Sequence, residues 1–374
     1  MASKSRVDIA LFLITITLVG IGVLMIYSSS AIFAKQHTGD TYYFFKRQLI
    51  WVTMGLIGLF CAWKFNYHKL QKRSWQLFLF GVCLISLTII PGIGYEISGA
   101  TRWLKIWFIS FQPSELMRII FIIYLTDFIV RRGKEFQGLF KGFLPPLLLL
   151  GLVSVILLKQ PHLGMVVLLG MATVSILFVG GCRMQYLIAL VLLAIPTVYF
   201  LIQCAPYRAR RLMVFLNPWA DPEHKGYHII QSLIALGSGG LYGQGLGEGK
   251  LKLFYLPQSS TDFIFAVIGE EGGFLLTAFV IILFVLFAFA GLKISLLAAD
   301  AYGSLLAFGI TALIILQSLL NIGVVTGVVP TTGMPLPFIS FGGSSLLINM
   351  IGVGIILNIA KYSLQQSFTS RLHQ

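Results

Sequence analysis

Carboxylates and arginines in apolar surroundings are the residues of this sequence that could do chemistry. Asp262 lies in LPQSSTDFIFAVIGEEGG (256–273), and Glu115 and Arg118 lie in GATRWLKIWFISFQPSELMR (99–118). An ionisable group at membrane depth costs a few kcal/mol and usually faces a polar interior or a cavity. A carboxylate in such a place can act as a general base, and an arginine can hold a phosphate through paired hydrogen bonds.

Each of these groups also has a plain structural interpretation. Glu115 and Arg118 are three residues apart, so they share a helix face and can form an ion pair that holds two helices together. Thr261 or Asp262 can serve as a helix N-cap, a position that threonine and aspartate often occupy. On the residue pattern alone, the ion pair is as good an interpretation as a functional site, and the cap is the better interpretation of Asp262.

A third segment, NIGVVTGVVPTTGMPLPFISFGGSSLL (321–347), contains three prolines and many glycines and serines in an apolar context. Irregular backbone is tolerated at membrane depth only where protein or water covers it. We therefore expect this segment to line a cavity, while a rigid turn with small-residue helix packing remains the alternative.

The sequence contains no complete metal-binding or nucleotide-binding motif. The segment GQGLGEGK (243–250) lacks the G-K-[ST] ending and the preceding strand of a P-loop. The histidines at 162, 224 and 228 have no metal-ligand spacing, and the four cysteines contain no CxxC pair. The sequence predicts no metal site and no evident cofactor.

The composition predicts a membrane protein. Hydrophobic residues make up 57% of the chain and charged residues 11%, whereas soluble domains carry roughly 25% charged residues. The net charge of +14 first suggests loop residues that set membrane orientation, and it need not indicate a nucleic-acid partner. We expect one all-α polytopic domain over residues 1–374.

Ten apolar stretches are long enough to cross a bilayer. They lie near residues 8–30, 47–63, 75–93, 114–130, 142–158, 163–181, 184–203, 272–292, 303–328 and 340–360. The first follows a basic start but is too long for a signal-peptide core, so we interpret it as a retained helix.

Charge asymmetry sets the predicted orientation. With the N-terminus in the cytoplasm, fourteen lysines and arginines fall inside and six in the short outer loops, which favours cytoplasmic N- and C-termini. One long extracytoplasmic loop then runs over 204–261, and within it YHIIQSLIALGSGG (227–240) predicts an interfacial amphipathic helix followed by flexible glycines.

The stretch that begins at Asp262 is too long for one straight span. A helix over 262–292 would extend about 46 Å, well beyond a bilayer core of about 30 Å. We expect a break near Gly269, Gly272 and Gly273, with Asp262 opening a short outer helix.

Four segments together resemble the SEDS family of lipid-linked peptidoglycan polymerases, whose members include FtsW and RodA. They are GATRWLKIWFISFQPSE, NPWADPEHKGYHIIQSLIALGSGGLYGQGLG, KLFYLPQSSTDFIFAVIGEE and TTGMPLPFISFGGSSLL. They occur in the family's order, and with the ten-helix layout they cover nearly the whole chain. The residues of the segments KLFYLP, VIGEE and TTGMPLPFIS resemble those of FtsW-like division proteins more closely than those of RodA.

The resemblance implies polymerisation of lipid II, an undecaprenyl diphosphate-linked disaccharide peptide, on the outer face of the bacterial cytoplasmic (inner) membrane. It implies a role in cell division, with a class B penicillin-binding protein as transpeptidase partner beside other division proteins. It also implies that Asp262 is the catalytic carboxylate.

In that reaction Asp262 would be the base, and the diphosphate would need charge stabilisation. A divalent cation is left open. The substrate-binding candidates are Arg102, Glu115, Arg118, Arg210, Arg211, Lys250 and Ser344.

Two positions depart from the family pattern. The QPDLG motif has His162 in place of its acid, and the position after FQPSE that is commonly lysine is Arg118. The competing functions are a lipid II flippase, suggested by Glu115 and Arg118, a RodA-like elongation role, and a scaffold without activity.

Overall fold

The computed structural model describes residues 2–97, 100–106, 109–203, 206–222, 226–249 and 260–372. The chain forms a helical bundle with a small sheet at one end. The helices are α1 (Ala2–Thr38), α2 (Tyr43–Lys64), α3 (His68–Lys72), α4 (Ser74–Leu87), α5 (Pro113–Arg132), α6 (Leu144–Lys159), α7 (Leu163–Val179), α8 (Met184–Gln203), α9 (Pro206–Leu216), α10 (Tyr227–Ser238), α11 (Ile264–Leu296), α12 (Ala301–Val325) and α13 (Gly343–Leu372).

Each of the ten predicted apolar stretches coincides with one of these helices, which confirms the polytopic helical class. Within the described residues, six helices are long and apolar enough to cross a membrane: Val7–Thr38, Tyr43–Lys64, Leu139–Lys159, Ile264–Leu296, Ala301–Val325 and Gly343–Ser363. Three more are apolar but shorter: Ser74–Leu87, Leu163–Val179 and Met184–Phe200. The count of ten spans stays a prediction.

The core of the bundle lies around α5, α12 and α13. Nearly every side chain of α5 from Pro113 to Ile129 is buried, and α12 packs on α5, α7 and α11, while α13 packs on α2. Small residues allow the close approaches: a Cβ added at Gly291 would lie 2.6 Å from Cγ2 of Thr311. Such small-residue contacts are the usual means of packing helices in a bilayer.

A three-stranded antiparallel sheet connects α4 to α5 and was not predicted. Its strands are β1 (Gly94–Ile97), β2 (Ala100–Ile106) and β3 (Ile109–Phe111), in that order. Gly94 pairs with Leu104 in the first ladder, and Leu104 pairs with Phe111 in the second. The chain passes from β3 directly into α5, where Pro113 occupies the first helical turn, so the sheet lies at the amino-terminal end of that helix.

Helix α11 is broken at Gly273, as its length predicts. Gly273 has φ 65° and ψ −165°, a conformation that only glycine adopts readily. The carbonyl groups of Glu270 and Glu271 on the near side of the break lie 2.9 and 3.1 Å from the backbone N–H groups of Gln244 and Gly245, which donate to them.

The far side of the break is satisfied by the same glycine-rich segment. The N–H of Phe274 donates to the carbonyl of Gly240 at 2.8 Å, and the N–H of Leu275 donates to that of Leu241 at 3.2 Å. Residues 239–245 therefore fill the gap in α11 and supply the partners that the interrupted helix lacks.

The predicted amphipathic helix is present as α10, and its buried side includes Ile229, Ile230 and Ala235. Helix α9, in the same connection, was not predicted as a helix. It carries Arg210 and Arg211, which are exposed. The long connection is thus largely helical over its described part.

The break predicts a specific sensitivity to side chains. A Cβ at Gly273 would lie 2.7 Å from the Leu241 carbonyl and closer still to the Gly243 nitrogen. We expect Gly273→Ala to lower stability by about 1–3 kcal/mol, the usual cost of such backbone strain, measured as a lower melting temperature of the purified protein in detergent.

The matched control is Gly170→Ala in α7, where nothing lies within 4 Å of the added Cβ. Alanine in a helix interior is favoured over glycine by about 0.5–1 kcal/mol, so this variant should melt at or above the wild-type temperature. Equal melting of the two variants would show that the gap does not constrain residue 273.

Candidate active site

The backbone on both sides of Asp262 is fastened to the loop between α12 and α13. The Asn321 side-chain amide donates to the carbonyls of Asp262 and Met334, both at 2.8 Å. The Ser340 hydroxyl donates to the Thr261 carbonyl at 2.6 Å. These bonds hold the turn before α11 against the segment that was predicted to line a cavity.

The α12–α13 loop is itself held in an irregular conformation. Gln317 donates to the Pro335 carbonyl at 2.7 Å, and the N–H of Leu336 donates to the Ser340 hydroxyl at 2.8 Å. Phe338 has φ 66°, which is uncommon for a bulky side chain. Gly333 has φ 71°, and a Cβ there would lie 3.7 Å from Oδ2 of Asp262. The loop backbone therefore lies against the Asp262 carboxylate.

The interpretation of Thr261 or Asp262 as a helix cap is wrong. Helix α11 begins at Ile264 and its N-cap position is Phe263, because residues 260–263 form a turn before the helix starts. The carboxylate of Asp262 lies beside Gly333, and among the described residues no hydrogen bond to it is formed. It is therefore placed for a role outside helix capping.

The protonation behaviour of Asp262 suits a general base. Burial raises the pKa of the Asp262 carboxyl to about 6, although the positive charges of Arg211 and Arg102 act to lower it. A base is most effective when its pKa lies near the working pH. Above pH 6 the carboxylate form predominates, and it can accept a proton.

Two arginines are positioned near Asp262 by backbone carbonyls. Arg102 on β2 donates from Nε to the Gln160 carbonyl at 2.9 Å and from Nη2 to the Pro161 carbonyl, in the turn between α6 and α7. Arg211 on α9 donates to the Thr331 carbonyl at 3.2 Å. The small sheet, the α6–α7 turn and α9 thus bring two cations to one carboxylate.

Ser344 lies at the start of α13 and ties it to the start of α5. Its hydroxyl accepts from the N–H of Gln112 at 3.0 Å, and Ser344 is buried. In the described structure it therefore contacts protein, and its predicted contact with substrate stays a prediction.

His162, the departure from the family pattern, is the N-cap of α7. Its Nδ1 accepts from the Met165 N–H at 3.2 Å, and its Nε2 lies 3.2 Å from the Gln112 side-chain amide. Burial, together with the nearby charge of Arg102, lowers the pKa of His162 to about 3, so the imidazole is neutral. A neutral acceptor at this position fulfils the capping role for which aspartate is also well suited.

Glu115 and Arg118 form a buried ion pair at the amino-terminal part of α5. Oε2 of Glu115 lies 2.7 Å from Nη2 of Arg118, and the two side chains are 3% and 0% exposed. Arg118 also donates to Asn349 at 2.8 Å and to Gln317. The pair connects α5 to α12 and α13 inside the bundle, and a contact of either residue with substrate stays a prediction.

The remaining candidates divide between the surface and the undescribed part of the chain. Arg210 is exposed on α9, one residue before Arg211. Lys250 lies outside the described residues. In the described part of the chain, no group of three or more histidine, cysteine, aspartate or glutamate side chains could hold a metal ion.

The sequence did not identify the residues that support the site. Gln317 and Asn321 hold the α12–α13 loop, and both are buried on α12. The sequence did contain a signal for these two residues, because two amides four residues apart in an otherwise apolar helix share one face. A buried amide in such a helix normally has a specific partner.

Comparison of the sequence with protein families gives a match over almost the whole chain. A family described as cell cycle protein, named for FtsW, RodA and SpoVE, matches residues 9–365. The probable peptidoglycan glycosyltransferase FtsW of Geobacter sulfurreducens is 41% identical over 355 residues, 95% of each chain. Stage V sporulation protein E of Bacillus subtilis is 40% identical over 362 residues, 96% of this chain and 98% of the relative.

Solved structures share the architecture. A chain from a peptidoglycan synthase complex, described as showing structural coordination of polymerization and crosslinking, has a TM-score of 0.78 at 25% identity, covering 95% of this chain and 98% of the other. Rod shape determining protein RodA of Thermus thermophilus has a TM-score of 0.67 at 23% identity, covering 94% and 95%. The RodA likeness shows a common fold.

The buried ion pair generates a stability prediction. Arg118→Met leaves Glu115 as an uncompensated charge in the core, and breaking such a pair costs about 3–5 kcal/mol. We expect a marked fall in melting temperature in detergent. The double variant Glu115→Gln/Arg118→Met should recover part of the loss, because no lone charge is left. If the single variant melts like wild type, Arg118 does not hold the bundle together.

Proposed function

The chain belongs to the cell cycle protein family of FtsW, RodA and SpoVE, and we propose that it is a peptidoglycan glycosyltransferase of the cell-division type in which Asp262 is the general base. The observation that carries the assignment of the base is the place of Asp262, a half-buried carboxylate between the α12–α13 loop and two fixed arginines. Relatives about 40% identical over nearly their whole length, named as glycosyltransferases, support the activity.

The reaction that fits this geometry joins two lipid-linked disaccharides. A sugar hydroxyl of the acceptor attacks the anomeric carbon of the donor, Asp262 takes the hydroxyl proton, and the bond from that carbon to the undecaprenyl diphosphate breaks. The diphosphate is a good leaving group, so it needs charge stabilisation rather than a proton. Arg102 and Arg211 supply positive charge near the base, and Arg210 and Lys250 are further candidates.

We place the site on the outer face of the membrane. Asp262, the small sheet and the described part of the 204–261 connection lie at the same end of the bundle, as the contacts of Arg102 and Arg211 show. Arg131 and Arg132 lie at the other end of α5, where the charge asymmetry predicts cytoplasm. Lipid II sugars would then react outside while the isoprenoid remains in the bilayer.

A flippase is less well supported than a polymerase. The idea depends on Glu115 and Arg118 lining a path for a polar headgroup. Both are buried, Glu115 is paired with Arg118, and Arg118 donates to partners on α12 and α13, so the pair closes the interior at that point. The carboxylate that faces the irregular α12–α13 loop is instead Asp262.

We propose a crosslinking enzyme, of the class B penicillin-binding protein type, as a partner of this chain. The structural relative with a TM-score of 0.78 comes from a complex described as coordinating polymerization and crosslinking. Glycan strands made by a polymerase become a network only when crosslinked, so physical coupling of the two activities is chemically sensible. Other division proteins remain proposed partners.

The first activity prediction concerns the base itself. Asp262→Asn keeps the size of the side chain but cannot accept the proton, so polymerisation of labelled lipid II by the purified chain should fall by about 10²–10⁴-fold. The amount of polymer formed over time, read from gels, measures this decrease. Adding a chelator to the same assay tests whether a divalent cation assists. Equal melting temperatures of variant and wild type exclude misfolding. Undiminished polymerisation would remove Asp262 from the mechanism.

The second activity prediction concerns the pH dependence of the reaction rate. Because the pKa of Asp262 is raised to about 6, the rate should fall as pH drops through 6. Arg211 lowers that pKa, so Arg211→Gln should move this acid limb to higher pH. It should also reduce kcat/KM by about ten- to a hundredfold if Arg211 holds a phosphate.

The comparison variant for the pH measurement is Arg210→Gln, the neighbouring arginine on α9. We expect it to leave the position of the acid limb unchanged, whatever it does to the rate. A limb that shifts equally in both variants would mean that the long-range charge of α9, and not the placement of Arg211, sets the pKa.

A further inference from the structure

A cavity lies at the end of the bundle opposite Asp262, where α4 begins and α5 ends. Its volume is about 380 Å³, and it is lined by Trp75, Tyr124, Phe128, Arg131 and Arg132. Helix α5 begins at Pro113, and the cavity is lined by its residues from Tyr124 to Arg132, so about 17–29 Å of helix separates the cavity from the amino-terminal end. The cavity therefore takes no part in the glycosyl transfer.

Aromatic rings form one wall of the cavity. The Tyr124 ring centroid lies 5.6 Å from that of Trp75 and 6.2 Å from that of Phe128. The Arg132 guanidinium carbon lies 5.5 Å from the Phe128 centroid, within the range of a cation–π contact. The rings thus hold a guanidinium group at the edge of an apolar surface.

The second arginine is oriented by a buried carboxylate. Nη2 of Arg131 lies 2.9 Å from Oδ2 of Asp127, which also accepts from the Ser74 hydroxyl. The Asp127 side chain is 3% exposed and that of Arg131 is 56% exposed. The carboxylate therefore fixes one edge of the guanidinium from inside the bundle, while much of the group is accessible.

The surroundings of the cavity are strongly positive. The segments 64–73 and 131–141 contain eight lysines and arginines and one acid, Glu135. Oε2 of Glu135 lies 3.5 Å from Nη1 of Arg132, and both side chains are about half exposed, so the pair is weak. An anion at this place would meet a net positive field.

An apolar strip leads away from the cavity along α4. Trp75 and Leu79 are four residues apart, hence on one helix face, and they are 45% and 50% exposed. Tryptophan is favoured at the level of lipid headgroups. A ligand in the cavity could place a charged group against the arginines and an acyl chain along this strip.

We propose that this cavity binds the phosphate headgroup of an anionic phospholipid of the membrane that the chain spans. Arginine binds phosphate oxygens through paired donors, and basic pockets beside membrane helices are typical lipid-headgroup sites. The volume falls within the range of about 300–1,000 Å³ that small-ligand sites occupy. The apolar strip favours a lipid over a soluble phosphate.

The test uses Trp75 as a probe. The full chain is reconstituted in phosphatidylcholine nanodiscs, and brominated phosphatidylglycerol or brominated phosphatidylcholine is titrated in while tryptophan emission is recorded. The same titrations on Trp75→Phe are subtracted, so that the difference reports only the cavity. We expect the anionic lipid to quench this difference signal at a lower mole fraction than the neutral lipid does.

Two charge variants decide the result. Arg132→Gln should reduce the preference for the anionic lipid by about fivefold, the effect of one basic residue near a membrane surface. Arg183→Gln, which removes an exposed charge between α7 and α8, should leave the preference unchanged. Arg132 is exposed, and an unchanged melting temperature will show that the variant is folded.

Four outcomes would overturn the proposal. Equal quenching by the two lipids would show that the cavity does not select a charged headgroup. A preference that survives Arg132→Gln, or falls equally in Arg183→Gln, would assign it to the general surface charge. A change in the difference signal with soluble glycerol phosphate, but with neither brominated lipid, would assign the cavity to a soluble anion instead of a lipid.

Discussion

Inside a membrane, every backbone N–H or C=O group that leaves a helix must find another partner, and this requirement governs the arrangement of the protein. Helix α11 is interrupted at Gly273, and the groups freed there bond to residues 240–245. The turn before α11 is bonded to Asn321 and Ser340 in the same way. The irregular backbone segments lie around Asp262, the proposed base, and on the same α11, and neighbouring segments supply each other's hydrogen-bond partners.

The irregular backbone around Asp262 also determines the charges that surround its carboxyl group. Burial among loop backbone favours the protonated acid, and the two arginines favour the carboxylate. Neither arginine is placed by an ion pair with Asp262: Arg102 and Arg211 are held by carbonyls of Gln160, Pro161 and Thr331. The cations can therefore stay in position while the charge on the carboxylate changes, as the proposed role of Asp262 as a general base requires.

Periodicity, length and hydropathy predicted the ten apolar helices, α10 and the break in α11, because each is a property of a continuous stretch, but they missed α3 and α9. The sheet was missed, since its strands of four, seven and three residues lie in a connection without a long repeat. The interpretation of Asp262 as a helix cap was wrong, because the start of α11 is set by a turn that is bonded to residues some 60–80 positions away. The partners of Asn321 and His162 were likewise unreadable from local pattern, and the family resemblance supplied the catalytic assignment.

The filled gap in α11 also bears on how the protein is made. Residues 239–245 leave the ribosome before α11 does, so the segment that completes the helix is already synthesised when the helix enters the bilayer. If the order were reversed, the free carbonyls of Glu270 and Glu271 would wait in lipid without partners, at a cost of several kcal/mol each. The direction of translation thus matches the order in which these hydrogen bonds are needed during membrane insertion.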